Sequence, residues 1–259
     1  MTRTGTRCLL AATLIAMVLP TAHAQSALER LRGLGGGKGA TVLDVGGDAI
    51  KGLSLSDAEV ATLGAEAAAA YDAENTVAAV DDPYAQRLAG LVAGWENDGG
   101  MSLNFKVYKT PEVNAFALPD GSVRVYSGLM DLMGDDELRF VIGHEIGHVK
   151  HGHSKARFRT AYLTQAARKG VAATDNVAGR LASSELGGLV ESVVKAQHSQ
   201  GNELESDGYG LGLLQRGGFD QQAAVTALQK LDDGQQQADM LSSHPDPASR
   251  ARRIGTQIR

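Results

Sequence analysis

The chain carries one cysteine in 259 residues, Cys8, so no disulfide can form within it. A fold without disulfides has to rest on its packed core or on a metal. Aromatic residues are also scarce, at 5%, whereas glycines number 32. That balance points to small residues and adaptable loops. It does not point to disorder throughout, because 43% of the chain is hydrophobic and its length allows one large domain or two small ones. No basic surplus exists either. A net charge of -5 argues against a nucleic-acid partner and against a basic footprint on a membrane surface.

Long apolar runs are missing beyond the N-terminus. The run over residues 8–19 is shorter than the ~20 residues that span a bilayer. It follows Arg3 and Arg7 and leads to Ala22, His23 and Ala24, which place small residues where a signal peptidase reads them. Residues 1–24 are therefore expected to be an export signal cut before Gln25, giving a periplasmic mature chain without cysteine. No lipobox-like end precedes Cys8, so a lipid anchor is not expected.

Residues 25–53 include a glycine-rich, weakly patterned connector, and residues 54–259 read as one domain without internal repeats. Ser56 and Glu59 have the spacing of a capping box ahead of an alanine-rich helix reaching Tyr71. A second helix is expected over residues 82–95. Residues 103–130 then alternate polar and apolar, with Pro119, Asp120 and Gly121 as turn chemistry, which predicts a small antiparallel sheet. After Asp135 the pattern is helical. Helices are expected over residues 135–151, over 186–216 with a stop at Gly217 and Gly218, from a cap at Asp220 to Leu231, and from Ala248 onward. The fold class is α+β, mostly helical, with the helices around one small sheet.

Four of the seven histidines lie between residues 140 and 155. His144 and His148 are four apart, so on a helix they share one face and offer two nitrogens to one tetrahedral zinc. Glu145, beside the first, is placed to take the proton of an activated water. The apolar stripe of Leu138, Val141, Ile142 and Val149 says that this helix is packed. His151 falls within about 20° of His144 in azimuth but roughly 10 Å farther along the axis, too far to share its metal. Pairing with His148 would leave Glu145 without a role. His153, beyond Gly152, is expected to be structural or solvent-facing.

A catalytic zinc keeps three protein ligands and one open position. Glu185, Glu191, His198, Glu203, Glu205 and Asp207 are the acids and histidine available after the helix. Within "NELESDGYG", Glu203 and Asp207 share a helical face and Glu205 points about 200° away. One of the first two can ligate, and the other can accept a hydrogen bond from a ligand histidine's second nitrogen.

These residues, with the strand pair over residues 114–130 and the His244-Pro245 step followed by Arg250, resemble the HtpX-like and CAAX-prenyl-protease group of zinc metallopeptidases. Within that group the compact exported form is similar to periplasmic LoiP-like and BepA-like proteases. The resemblance runs from about Ser56 to the C-terminus and implies a zincin-like domain with the sheet beside the His144–His148 helix. It implies one zinc per chain, ligated by His144, His148 and Glu203, with Glu145 as general base and Asp207 and Arg250 as supporting groups. It also implies that Asn114, Ala115, Phe116, Ala117 and Leu118 pair with substrate backbone as an added strand.

The function expected is zinc-dependent endopeptidase action in the bacterial cell envelope. The substrates implied are unfolded or misassembled envelope polypeptides, and peripheral association with the outer membrane remains compatible with the sequence. His244, held extended by Pro245, has two candidate roles: an oxyanion donor, or a latch on the open zinc position, which the polar, mobile-looking stretch before it favours as a movable cover. Two rivals stand beside this reading. One is a zinc-containing chaperone or assembly factor with little proteolytic activity. The other is hydrolysis of a non-peptide amide.

Overall fold

The computed structural model describes residues 55–168, 183–232 and 238–258. The expected export signal, the glycine-rich connector and the polar stretch 233–237 lie outside the described residues.

Helix α1 (Asp57–Glu74) starts as its capping box predicts. Ser56 Oγ accepts the Glu59 N–H at 3.3 Å, and the Glu59 carboxylate accepts the Ser56 N–H at 2.7 Å. Helix α2 (Pro83–Leu91) begins on the Asp82 carboxylate, which accepts the Tyr84 N–H at 2.9 Å, and ends short of the expected Trp95.

Strands β1 (Asn104–Tyr108), β2 (Ala115–Ala117) and β3 (Ser122–Tyr126) form one sheet in the order β1-β3-β2. The β2–β3 hairpin is antiparallel, with Gly121 at φ +91° in its turn. β1 pairs with β3 in parallel, so the sheet is mixed and the fully antiparallel expectation is corrected. Residues 109–114 carry the chain past the end of β3 to its far side, a connection without hairpin turn chemistry. β2 thus has one neighbour, and among the described residues nothing pairs with its outer edge.

The period-two alternation divides the sheet into two faces. Val107, Ala115, Ala117, Val123 and Val125 join one core with Leu138, Ile142, Ile146 and Leu214. Tyr108, Phe116, Leu118 and Tyr126 join a second core with Val60, Leu63 and Ala67 of α1. The one charge buried on that second face is neutralised where it stands: Arg124, 2% exposed, bonds Asp72 of α1 at 2.7 and 3.0 Å. Tyr108 Oη adds a third bond to Asp72 at 2.7 Å, tying α1 to the sheet.

The remaining helices are α3 (Ser127–Leu132), α4 (Asp135–Lys150), α5 (His153–Arg168), α6 (Ser183–Lys195), α7 (Gln200–Gly217), α8 (Gln222–Asp232), α9 (Ala238–Ser243) and α10 (Pro247–Gly255). The single helix expected over residues 186–216 is two helices, α6 and α7. Ser199 starts the second by accepting the Asn202 N–H at 3.2 Å. α7 stops at Gly218, φ +68°, where the glycine pair predicted it. Among the described residues no helix is long and apolar enough to cross a membrane.

Small residues bring α4 against α7. A Cβ on Gly147 would lie 2.8 Å from the Ser206 Cα, and one on Gly210 would lie 2.9 Å from the Phe140 carbonyl oxygen. Only glycine permits that approach. It sets the acids of α7 directly over the histidines of α4. The architecture is the mostly helical α+β arrangement of a zincin-like domain.

Candidate metal centre

α4 points His144 and His148 to one side, and α7 brings Glu203 to meet them. His244, just beyond α9, enters from the C-terminal segment. One ligand atom from each of these four residues lies within 4.8 Å of the others. His144 Nε2 is 3.0 Å from His148 Nε2 and 3.2 Å from His244 Nδ1. Glu203 oxygens lie 3.4 Å from His148 Nε2, 3.6 Å from His144 Nε2 and 3.3 Å from His244 Nδ1. Ring nitrogens converging on one another satisfy no chain of hydrogen bonds by themselves. The edges of a zinc tetrahedron with bonds of about 2.0–2.1 Å would be about 3.3–3.4 Å long, close to these separations. The donor set fits zinc: imidazole nitrogens and one carboxylate.

The outer contacts fix the tautomers. Asp207 Oδ1 accepts the Nδ1–H of His144 at 2.9 Å, leaving Nε2 with its lone pair directed at the cluster. Arg250 grips Asp207 with two bonds, 2.9 Å from Nε and 2.6 Å from Nη2, and reaches Glu203 Oε2 with Nη1 at 2.5 Å. His148 is held differently. Its Nδ1 lies 3.1 Å from His153 Nδ1, and His153 Nε2 lies 3.0 Å from Glu205 Oε2. Only one proton assignment satisfies that chain with His148 Nε2 unprotonated: His148 donates to His153, and His153 donates to Glu205.

Charge follows the same geometry. Burial works against ionisation of Glu203, yet the surrounding histidines hold its carboxyl well below the usual range. Burial pushes Asp207 up, but Arg250 and His144 outweigh it and bring its pKa to about 2. Burial drives His148 well below an ordinary histidine, so it stands neutral, as a ligand must. At His144 burial opposes the charge, and the Glu203 and Asp207 carboxylates overcome it and raise the pKa. The pull those acids exert on a proton is a pull a dication would answer. Glu145 sits at the rim with Oε1 buried and without a hydrogen-bond donor, 3.5 Å from His244 Nε2. That oxygen is free to receive a proton.

The structure gathers every residue expected at the centre: His144, Glu145, His148, Glu203, Asp207, His244 and Arg250 are each buried, none above 6% exposure. Ala115, Phe116, Ala117 and Leu118 line the cleft that also holds Glu145 and His244, while Asn114 turns its Oδ1 to the Ala115 N–H at 2.9 Å. His151 is exposed and outside the cluster, as expected. Glu205 stays out of the donor set but is not idle. Of the two places expected for His153, structural or solvent-facing, the structure gives the first: it is a partner of His148. His198 stacks on the His148 ring at 3.7 Å between centroids and contributes no ligand atom to the cluster.

A family model described as Peptidase family M48 matches residues 86–258. The chain is 41% identical over 217 residues to the metalloprotease LoiP of Escherichia coli (strain K12), covering 82% of this chain and 86% of that protein. It is 40% identical over 215 residues to the metalloprotease YcaL of the same organism, covering 82% and 84%. With the beta-barrel assembly-enhancing protease of Yersinia pestis it shares 33% identity over 179 residues, which is 64% of this chain and 37% of that protein. The matched region holds the histidines of α4, the acids of α7 and His244 together, and on that footing the chain belongs to Peptidase family M48 and is a zinc metallopeptidase.

Proposed function

We propose that the protein is a zinc endopeptidase of the bacterial cell envelope, exported by residues 1–24 and working in the periplasm from Gln25 onward. The observation that carries this reading is one juxtaposition: His244, clustered with the His144, His148 and Glu203 donors, borders the same cleft as Glu145 and residues Ala115 to Leu118 at β2.

In this reading His144, His148 and Glu203 hold the zinc. Bound there, the ion supplies Lewis-acid activation of a water and of the scissile carbonyl. Glu145 takes the proton of the attacking water on its free oxygen and passes it to the leaving amine. Asp207 and Arg250 keep His144 in its ligating tautomer and hold Glu203 ionised. On either side of β2, Asn114 and Leu118 bond to β3, through the Tyr126 N–H and the Ser122 carbonyl. By antiparallel alternation Phe116 shares their orientation, so Ala115 and Ala117 turn their backbone groups outward. An extended polypeptide adds there as a further strand, with its amides carried past Glu145. Strand addition reads backbone, not sequence, and it requires an unfolded segment. That suits unfolded or misassembled envelope polypeptides as substrates, in keeping with a relative named for enhancing β-barrel assembly.

His244 acts as a latch. Its Nδ1 lies within 3.3 Å of both Glu203 oxygens and 3.2 Å from His144 Nε2, in the position a fourth ligand takes. The same contact favours a second reading, a zinc-containing assembly factor with little proteolysis, because closed four-ligand zinc sites are structural. Glu145 speaks for the enzyme, since a structural site has no use for a buried base. Hydrolysis of denatured casein by the mature chain, with and without chelator and after zinc is returned, tests the peptidase reading; failure to cleave with zinc bound would leave the assembly factor. His244→Ala, compared at equal zinc content, separates the roles of that residue. Higher activity is expected of a latch, a loss of roughly 10²–10³-fold of an oxyanion donor, and no change would dismiss both.

A further inference from the structure

Among the described residues Arg124 and Arg250 are buried, and Arg157 is half-buried with its Nη2 enclosed. Arg124 is paired with Asp72, and Arg250 with Asp207 and Glu203. Arg157, one turn after the buried Ser154 on α5, gives Nη1 to the Val193 carbonyl at 3.0 Å, while its Nη2 is buried with no partner at all. It faces the cleft that runs along Ala115, Phe116, Ala117 and Leu118 to Glu145. Burial lowers its pKa to about 10, against the sustaining charges of Glu145 and Glu203, so it is cationic at neutral pH. Those two carboxylates act on it through space but do not bond it.

A buried guanidinium nitrogen without an acceptor is expensive, and a neutral carbonyl would leave its charge unanswered. The planar fork of an arginine matches a carboxylate. Elsewhere in this fold the buried arginines are answered with carboxylates. Beside Arg157 the cleft is lined by alanines, by Val193 and Val194, and by Ser154, His198, His244 and Glu145, none of which bonds its Nη2. A strand lying on β2 passes this wall with its side chains alternating to either side.

We propose that Arg157 determines specificity by binding the carboxylate of an aspartate or glutamate side chain in the substrate strand, near the scissile bond. This rests on the peptidase reading. It adds a sequence preference to a site whose strand pairing alone would have none. Arg157 takes no part in the proton transfers.

Cleavage sites mapped by mass spectrometry in denatured casein should show Asp or Glu enriched at one fixed position beside the cut. Peptides with amidated C-termini, differing only by Glu or Gln at that position, then isolate the carboxylate. The zinc-loaded wild type should favour the Glu peptide by about tenfold or more in kcat/KM, the scale of a hydrogen bond to a charged group. Arg157→Met should erase the preference by slowing the Glu peptide alone, and Arg157→Lys should restore part of it. Binding of both peptides to zinc-loaded Glu145→Gln protein should show the same ratio without turnover. No enriched position, equal binding of the pair, a preference that follows a free C-terminus instead, or an equal loss on both peptides in Arg157→Met would overturn the proposal. The wild-type preference needs no variant to fold. Chelator-sensitive cleavage without acidic preference sinks this inference alone, whereas absence of chelator-sensitive cleavage sinks the peptidase reading as well.

Discussion

The two histidines of α4 are steadied in different ways. Behind His144 lies a sealed ionic clamp, Asp207 and Arg250, at 3% and 6% exposure. Behind His148 lies a polar chain, His153 and then Glu205, whose carboxylate is 60% exposed. Both do one job, holding Nδ1 as the donor so that Nε2 is free for the metal. What separates them is what a broken link leaves behind. In the clamp it leaves buried guanidinium N–H groups without acceptors, which the fold itself must bear. In the chain it leaves polar groups that water can reach, so the metal alone should notice. Ligand orientation and fold stability are joined on one side of this site and separate on the other.

Asp207→Ala should therefore have the largest effect. It removes two of the three carboxylate bonds of Arg250, leaving only the one to Glu203, and is expected to destabilise the fold by about 3 kcal/mol, with zinc lost as well. Chemical denaturation and metal analysis of the same sample check both halves, and a stable variant that merely binds zinc less well would break the contrast. His153→Ala should come next. Zinc affinity is expected to fall by about 10–100-fold, with the melting temperature of the metal-free protein little moved. A melting loss matching that of Asp207→Ala would show that the two supports are alike after all. Glu205→Gln should be smallest, about fivefold or less in zinc affinity, because an exposed partner is screened and readily replaced by water. A metal titration that ranks it above His153→Ala would contradict the chain.

Much of this was legible because its periodicities are local. The α4 limits, the shared face of Glu203 and Asp207, the Ser56 capping box and the Gly121 turn each follow from spacing within a few residues. The misses are non-local or lie at breaks in a period. The parallel pairing of β1 depends on where the chain goes after Tyr108, which no turn residue announces. The break between α6 and α7 falls in the stretch from Ala196 to Ser199, without glycine or proline, so only the Ser199 cap marked it. His153 escaped because Gly152, at φ +77°, ends α4 and restarts the chain in α5. Azimuth counted along α4 therefore says nothing of where that ring goes. The azimuth of Glu205 points it away from Glu203 and Asp207, but what it faces, His153, comes from another helix. The free nitrogen of Arg157 had no sequence signal, since an unpartnered atom shows only once its surroundings are folded.

The central claim is that this cluster is a working catalytic zinc site, with Glu145 as its base, and one variant tests it most directly. Glu145→Gln keeps the size of the side chain and leaves the His144, His148 and Glu203 donors in place. It should retain one zinc per chain and an unchanged melting temperature, yet lose casein hydrolysis by about 10²–10⁴-fold, the contribution expected of a general base. Wild-type turnover in a zinc-loaded Glu145→Gln protein would contradict the account.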